Sequence, residues 1–206
     1  DSLKTLARRI EEVHREPVCA VVESMTGARL VHDTLEAEGW DVEIADAQKV
    51  KGLAPLACKT DKIDSMVLAV LSHRDLVPAI WLPDPRVREE RELARFRLHL
   101  VKHKSALKNR IHSTLINFGR PCPVSDLFGV EDTKLLDRLR LPAPYAARIA
   151  SLRRLMDGLD FEIDLFAGIL RGRLARDPGY LAVQQIPGIG PILGAVFVAE
   201  VGDVTR

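Results

Sequence analysis

Val18-Cys-Ala-Val-Val22, closed by Glu23, decides the fold. The run is continuous and apolar, too short for a buried helix and rich in β-branched residues, which suits a strand covered on both faces. Residues 27–39 follow as a helix, with Leu30, Val31, Thr34 and Leu35 turned inward and Gly39 as its stop. Residues 40–45 then alternate as a second strand. The three together predict a β-α-β unit and an α/β fold. Upstream, Leu3, Leu6, Ile10 and Val13 share one face of a helix over 3–15 that Pro17 ends.

Downstream of the second strand, residues 47–60 contain Gly52 and Pro55 and carry Lys49, Lys51 and Lys59, which reads as a basic connecting segment. A helix over 61–71 opens with an acid, as the helix dipole prefers. Residues 76–85, with three prolines, read as a linker. Beyond it Leu93, Phe96, Leu100, Leu107, Ile111, Leu115 and Phe118 form a stripe near the 3.6 period, predicting one long helix over 87–118. Residues 121–144 read as loop with a short helical piece at 134–139. Ile149, Leu152, Met156, Leu159, Ile163, Phe166, Leu170 and Leu174 predict a second long helix over 145–175, and two helices of this length suggest a coiled-coil arm. Ile186-Pro-Gly-Ile-Gly-Pro191 is a glycine turn that opens an apolar helix and, on this reading, a further domain.

The composition limits what such a chain can be. Of its 206 residues 47% are hydrophobic, enough for a real core and too many for a disordered chain. No stretch has the eighteen or so apolar residues a membrane span needs, since even 192–201 is interrupted by Gly194 and Glu200. There is no signal-peptide pattern, and Cys19, Cys58 and Cys122 lack the spacing of a zinc knuckle, so a cytoplasmic setting is expected. The formal net charge of +1 conceals an uneven distribution: between Arg86 and Arg110 nine Lys/Arg stand against Glu89, Glu90 and Glu92. The chain opens on Asp1 and stops soon after an apolar run, so it is expected to be a piece of a longer protein.

Asp61 and Asp64 stand three apart at a helix start, which turns both side chains toward one side. An acid at a strand end, Glu23, opposite two acids on a following helix is a donor set for Mg²⁺ or Mn²⁺, hard ions that take oxygen ligands. Two such ions clamp the attacking and leaving oxygens of an in-line phosphoryl transfer. An acid pair at this spacing on a helix surface also serves solvation and dipole compensation alone.

Val21-Val-Glu-Ser-Met-Thr-Gly27 followed by Lys59-Thr-Asp-Lys-Ile-Asp64 resembles the DEDD transposases of bacterial insertion sequences, the IS110 family, relatives of the Piv DNA invertase. The resemblance extends over nearly the whole chain. It implies a partial ribonuclease-H-like (RuvC-like) domain over 1–80, a helical coiled-coil arm over 81–178 and, over 179–206, the start of a second helical domain. It assigns Glu23, Asp61 and Asp64 to metal binding and catalysis, with a further Asp on an opening strand that nothing before Glu23 matches. The family's Ser nucleophile lies beyond the closing segment, and neither Ser125 nor Ser151 fits it. The implied activity is metal-assisted DNA strand cleavage and exchange, in some members guided by a structured RNA, by a homo-oligomer joined through the long helices. With both ends departing from the pattern, this piece alone is expected to be inactive.

For nucleic acid the candidates are Lys59 and Lys62 beside the acids, and Arg95, Lys102, Lys104, Lys108 and Arg110 on the basic helix, where phosphate binding would weaken steeply with salt. The alternative is a solvated helix face. Phe96 and Phe118, both on the apolar stripe, offer no base stacking. Gly188 and Gly190 precede a helix whose backbone N–H groups could meet a phosphate, or they form an ordinary tight turn. His99 and His103 read as surface residues, and Cys19 as core. Two rivals remain: a non-catalytic nucleic-acid-binding and dimerisation module, and a RuvC-like junction nuclease that needs no second domain.

Overall fold

A computed structural model describes residues 2–53, 60–119 and 140–205. Two compact units divide the chain, Asp1–Leu82 and Pro83–Arg206. The first is mixed α/β, with α1 (Ser2–His14), β1 (Cys19–Glu23), α2 (Ala28–Glu36), β2 (Asp41–Ala45), α3 (Ala47–Leu53) and α4 (Asp61–His73). β1 and β2 pair in parallel from Cys19↔Asp41 to Glu23↔Ala45, joined by α2 as the β-α-β pattern requires. Gly27, at φ 93°, leads into α2, and Gly39, at φ 96°, closes the turn after it; both backbones lie where only glycine is unstrained.

Ala7, Leu35 and Val42 form the core of this unit, with Leu3, Ala20, Val22, Val31 and Trp40 packed against them. Trp40 secures α1 by donating its indole N–H to Glu11 Oε1 at 2.7 Å. The expected inward face of α1 is partly turned out, since Leu6 and Val13 are exposed. β1 is less covered than a two-sided strand: Cys19 is exposed and the remaining residues are half-buried, because the described sheet has two strands. Cys19 is therefore a surface thiol and not a core residue.

Two segments expected to be irregular carry structure. Residues 47–53 form α3, whose first turn is capped by Asp46 Oδ1, which accepts from the N–H groups of Gln48 and Lys49. Residues 78–80 add an antiparallel bridge to the end of β2, with Asp46 N–H donating to the Pro78 carbonyl and Ile80 N–H to that of Ile44.

The second unit holds α5 (Pro85–Asn117), α6 (Ala143–Leu174), α7 (Pro178–Val183) and α8 (Pro191–Val201). Asp84 caps α5 by accepting from Arg86 and Val87 N–H, and Pro85 occupies the first turn, where its missing donor costs nothing. α5 and α6 run antiparallel, since Glu89 meets Arg173, Phe96 meets Phe166 and Phe118 meets Tyr145. Ile111, Leu115, Ile149, Leu152 and Met156 fill one end of their seam. Ala94, Leu170, Leu174 and Tyr180 fill the other with Ala195 and Ala199 of α8. The buried Ala195 and Ala199 let α8 lie close against α5 and α6, and Gly194 lets it lie close against α7, where an added Cβ would meet Val183 and Tyr180. The expected helical piece at 134–139 lies outside the described residues, and no described helix is long and apolar enough to cross a membrane.

Gly158, in the interior of α6, has nothing within 4 Å of where a Cβ would stand. Gly158→Ala is expected to raise stability by about 0.5–1 kcal/mol, because alanine loses less backbone entropy in a helix. Thermal melts of the two chains would test it, and an unchanged midpoint would contradict the expectation.

Candidate metal centre and nucleic-acid interface

β1 delivers Glu23 at its carboxyl end, half-buried, beside the Ser24 N–H that bonds to the Ala45 carbonyl. α4 begins at Thr60, whose hydroxyl accepts from Ile63 N–H at 3.3 Å, and this cap brings Asp61 and Asp64 into the first turn. Asp61 is exposed and Asp64 half-buried. α4 packs against β1, so all three carboxylates belong to two touching elements. None of the three has a side-chain hydrogen bond or ion pair among the described residues. As donors they fit a divalent cation in kind, being carboxylate oxygens throughout. Yet among the described residues no three His, Cys, Asp or Glu side chains gather closely enough to hold a metal ion. α1 occupies the stretch ahead of β1, where the pattern would have a strand bearing a further Asp.

Of the basic candidates, Lys59 lies outside the described residues, while Lys62, Lys102 and Arg110 are exposed. Lys108 is half-buried and engaged within the chain. Arg95 is engaged too: its Nε and Nη2 each donate to the Glu200 carboxylate at 2.7 Å, a bidentate pair joining α5 to α8. That hydrogen bond holds the Glu200 carboxyl below the usual carboxylate range, while partial burial pulls the other way. Lys104 pairs with Asp160 of α6. His99 and His103 are exposed, as expected. Gly188, at φ 91°, needs glycine's freedom, and Gly190 is the N-cap of α8 with no side chain capping it.

Two residues that pattern did not single out sit within the packing of the helical unit. Arg91 donates to the carbonyls of Ala199 and Glu200, at 2.8 and 3.1 Å, closing the last turn of α8. Glu90 is buried, and burial pushes its carboxyl above the usual range despite Arg86 and Arg173 nearby.

The chain thus carries a carboxylate-bearing α/β unit followed by a helical unit that opens with a basic helix. A protein-family model described as Transposase, of the DEDD type found in IS110 elements, matches residues 1–118. The match takes in more than half of the 206 residues, and the chain belongs to this family of insertion-sequence transposases. No curated protein matches it.

Proposed function

We propose that the chain supplies part of the catalytic machinery of a DNA transposase whose intact form cuts and exchanges DNA strands by metal-assisted phosphoryl transfer. One observation carries this reading: the transposase match spans both the strand that ends in Glu23 and the helix that opens with Asp61 and Asp64. Residues 1–80 act as a partial RuvC-like domain, 81–178 as a coiled-coil arm that joins copies of the chain, and 179–206 as the opening of the serine-bearing domain. Glu23, Asp61 and Asp64 would hold Mg²⁺ or Mn²⁺ together with a further carboxylate. When bound, such ions polarise the phosphodiester and stabilise the attacking and leaving oxygens.

The chain's own contribution is positional. The single-turn spacing of Asp61 and Asp64 turns both toward the same side of α4, and α4 packs on β1, the strand bearing Glu23. Exposed Lys62, Lys102 and Arg110 hold phosphates of DNA, or of a structured guide RNA, by charge. Arg95 and Lys104 support the helical unit through Glu200 and Asp160. Gly188 and Gly190 bring backbone N–H groups at the start of α8 to a phosphate.

Calorimetric titration of Mn²⁺ into the intact transposase and its Asp61→Ala/Asp64→Ala variant tests the assignment. Binding in the first and its loss in the second is the expected result. Undiminished binding in the variant would remove the two aspartates from the site. No binding in either would favour the non-catalytic nucleic-acid-binding and dimerisation module, in keeping with the absence of a three-ligand cluster among the described residues.

A further inference from the structure

The seam between α5 and α6 opens on one side into a groove of about 710 Å³. Its floor is aliphatic, with Leu107 from α5 and Leu155 from α6, and Leu155 is 56% exposed. Its rim is polar: His103 and the charged Arg110 stand on α5, the charged Arg154 and Glu162 on α6. Among the described residues neither Arg110 nor Arg154 has an ion-pair partner, unlike Lys104 and Arg95 nearby. Gly158 lies in the floor, where an added Cβ would meet nothing within 4 Å. A glycine in a helix interior sacrifices helix stability, and here its effect is to leave room for another backbone to approach.

We propose that this groove docks a third helix, an amphipathic segment of a partner protein with an acidic border. An apolar floor between two helices is the setting in which a third helix inserts its i, i+3, i+4, i+7 side chains. Two guanidinium groups with no ion-pair partner among the described residues, one on each wall of the groove, select carboxylates on the flanks of the incoming helix, and Glu162 leaves room for one basic residue. A nucleic acid fits less well, because among the described residues no Phe, Tyr or Trp lines the groove for stacking and its middle is aliphatic.

The test uses the whole chain and two labelled helical peptides of about 18 residues, each with the same leucine stripe, one flanked by glutamates and one by lysines. Fluorescence anisotropy is expected to give the glutamate peptide a Kd on the order of 10 µM and the lysine peptide one at least about tenfold weaker. Arg110→Glu/Arg154→Glu should reverse that preference. Gly158→Leu, which fills the floor without touching the rim, should abolish binding of the glutamate peptide while circular dichroism stays unchanged. Equal binding of the two peptides, no binding of either, or displacement of the glutamate peptide by a single-stranded oligonucleotide would overturn the proposal. So would sedimentation in which the chain forms a dimer that Gly158→Leu dissociates, since the occupant would then be a second copy.

Discussion

Leu170→Ala is expected to lower the stability of the helical unit by about 2–5 kcal/mol, toward the upper end of that range. Leu170 is fully buried, and its neighbours in the cluster are Ala94, Ala195, Ala199, Leu174 and Tyr180. How much a truncation costs depends on how far the surroundings collapse into the space left behind. Three of those neighbours are alanines, whose methyl groups have no rotamers to reach inward, so the cavity persists unless a backbone moves. Leu155→Ala, on the exposed groove floor, should cost far less. Urea unfolding followed by circular dichroism reads both. A loss below about 1 kcal/mol at Leu170 would mean that α8 does not close that seam, because only an open seam lets water replace the missing methyl groups.

Much of this architecture was legible because burial leaves a period in the sequence. β1, α2 and β2 follow from an apolar run, a helical stripe and an alternation, and the two long helices follow from stripes whose members Ile111, Leu115, Ile149, Leu152 and Met156 do meet. What was missed has other causes. α3 was hidden by Gly52 and two lysines, although Asp46 ahead of it is an ordinary capping residue. The bridge at Ala79 is made by backbone groups, which leave no side-chain pattern. Cys19 looks like core because its sequence neighbours are apolar, but exposure is decided by what stands beside the sheet. Glu90 resembles Glu89 and Glu92 in sequence, yet it stands three residues before Leu93, in register with the stripe, and that register buries it.

The candidate site was legible to the same degree and no further. Spacing relates Asp61 to Asp64 within one helical turn, and the family match covers both of them and Glu23. Spacing is silent on the distance between a strand end and a helix start. That distance is set by how α4 lies on β1, and among the described residues the three carboxylates do not close into a cluster. The basic stretch has a similar limit: charge is visible in sequence, but Glu200 and Asp160, which engage Arg95 and Lys104, lie 105 and 56 residues away.

Arg91→Met is expected to cost about 2–4 kcal/mol, whereas Arg95→Met should cost no more than about 1 kcal/mol, although both arginines face Glu200. The difference lies in what each guanidinium satisfies. The last carbonyls of a helix have no intrahelical donors, and in α8 those of Ala199 and Glu200 accept from Arg91 at 2.8 and 3.1 Å. The Arg91 side chain is only 15% exposed, so water does not readily take its place when it is removed. Methionine keeps most of the stem's packing and so isolates the loss of the donors and their charge. Arg95, by contrast, is 55% exposed and gives its hydrogen bonds to the Glu200 carboxylate, 38% exposed, an ion pair that water and salt screen. Urea melts at low and at high salt separate the two cases: the Arg95 effect should fade with salt and the Arg91 effect should persist. Equal losses that fade together would mean that the surface ion pair, and not the closing of the last turn of α8, is what holds that helix to α5.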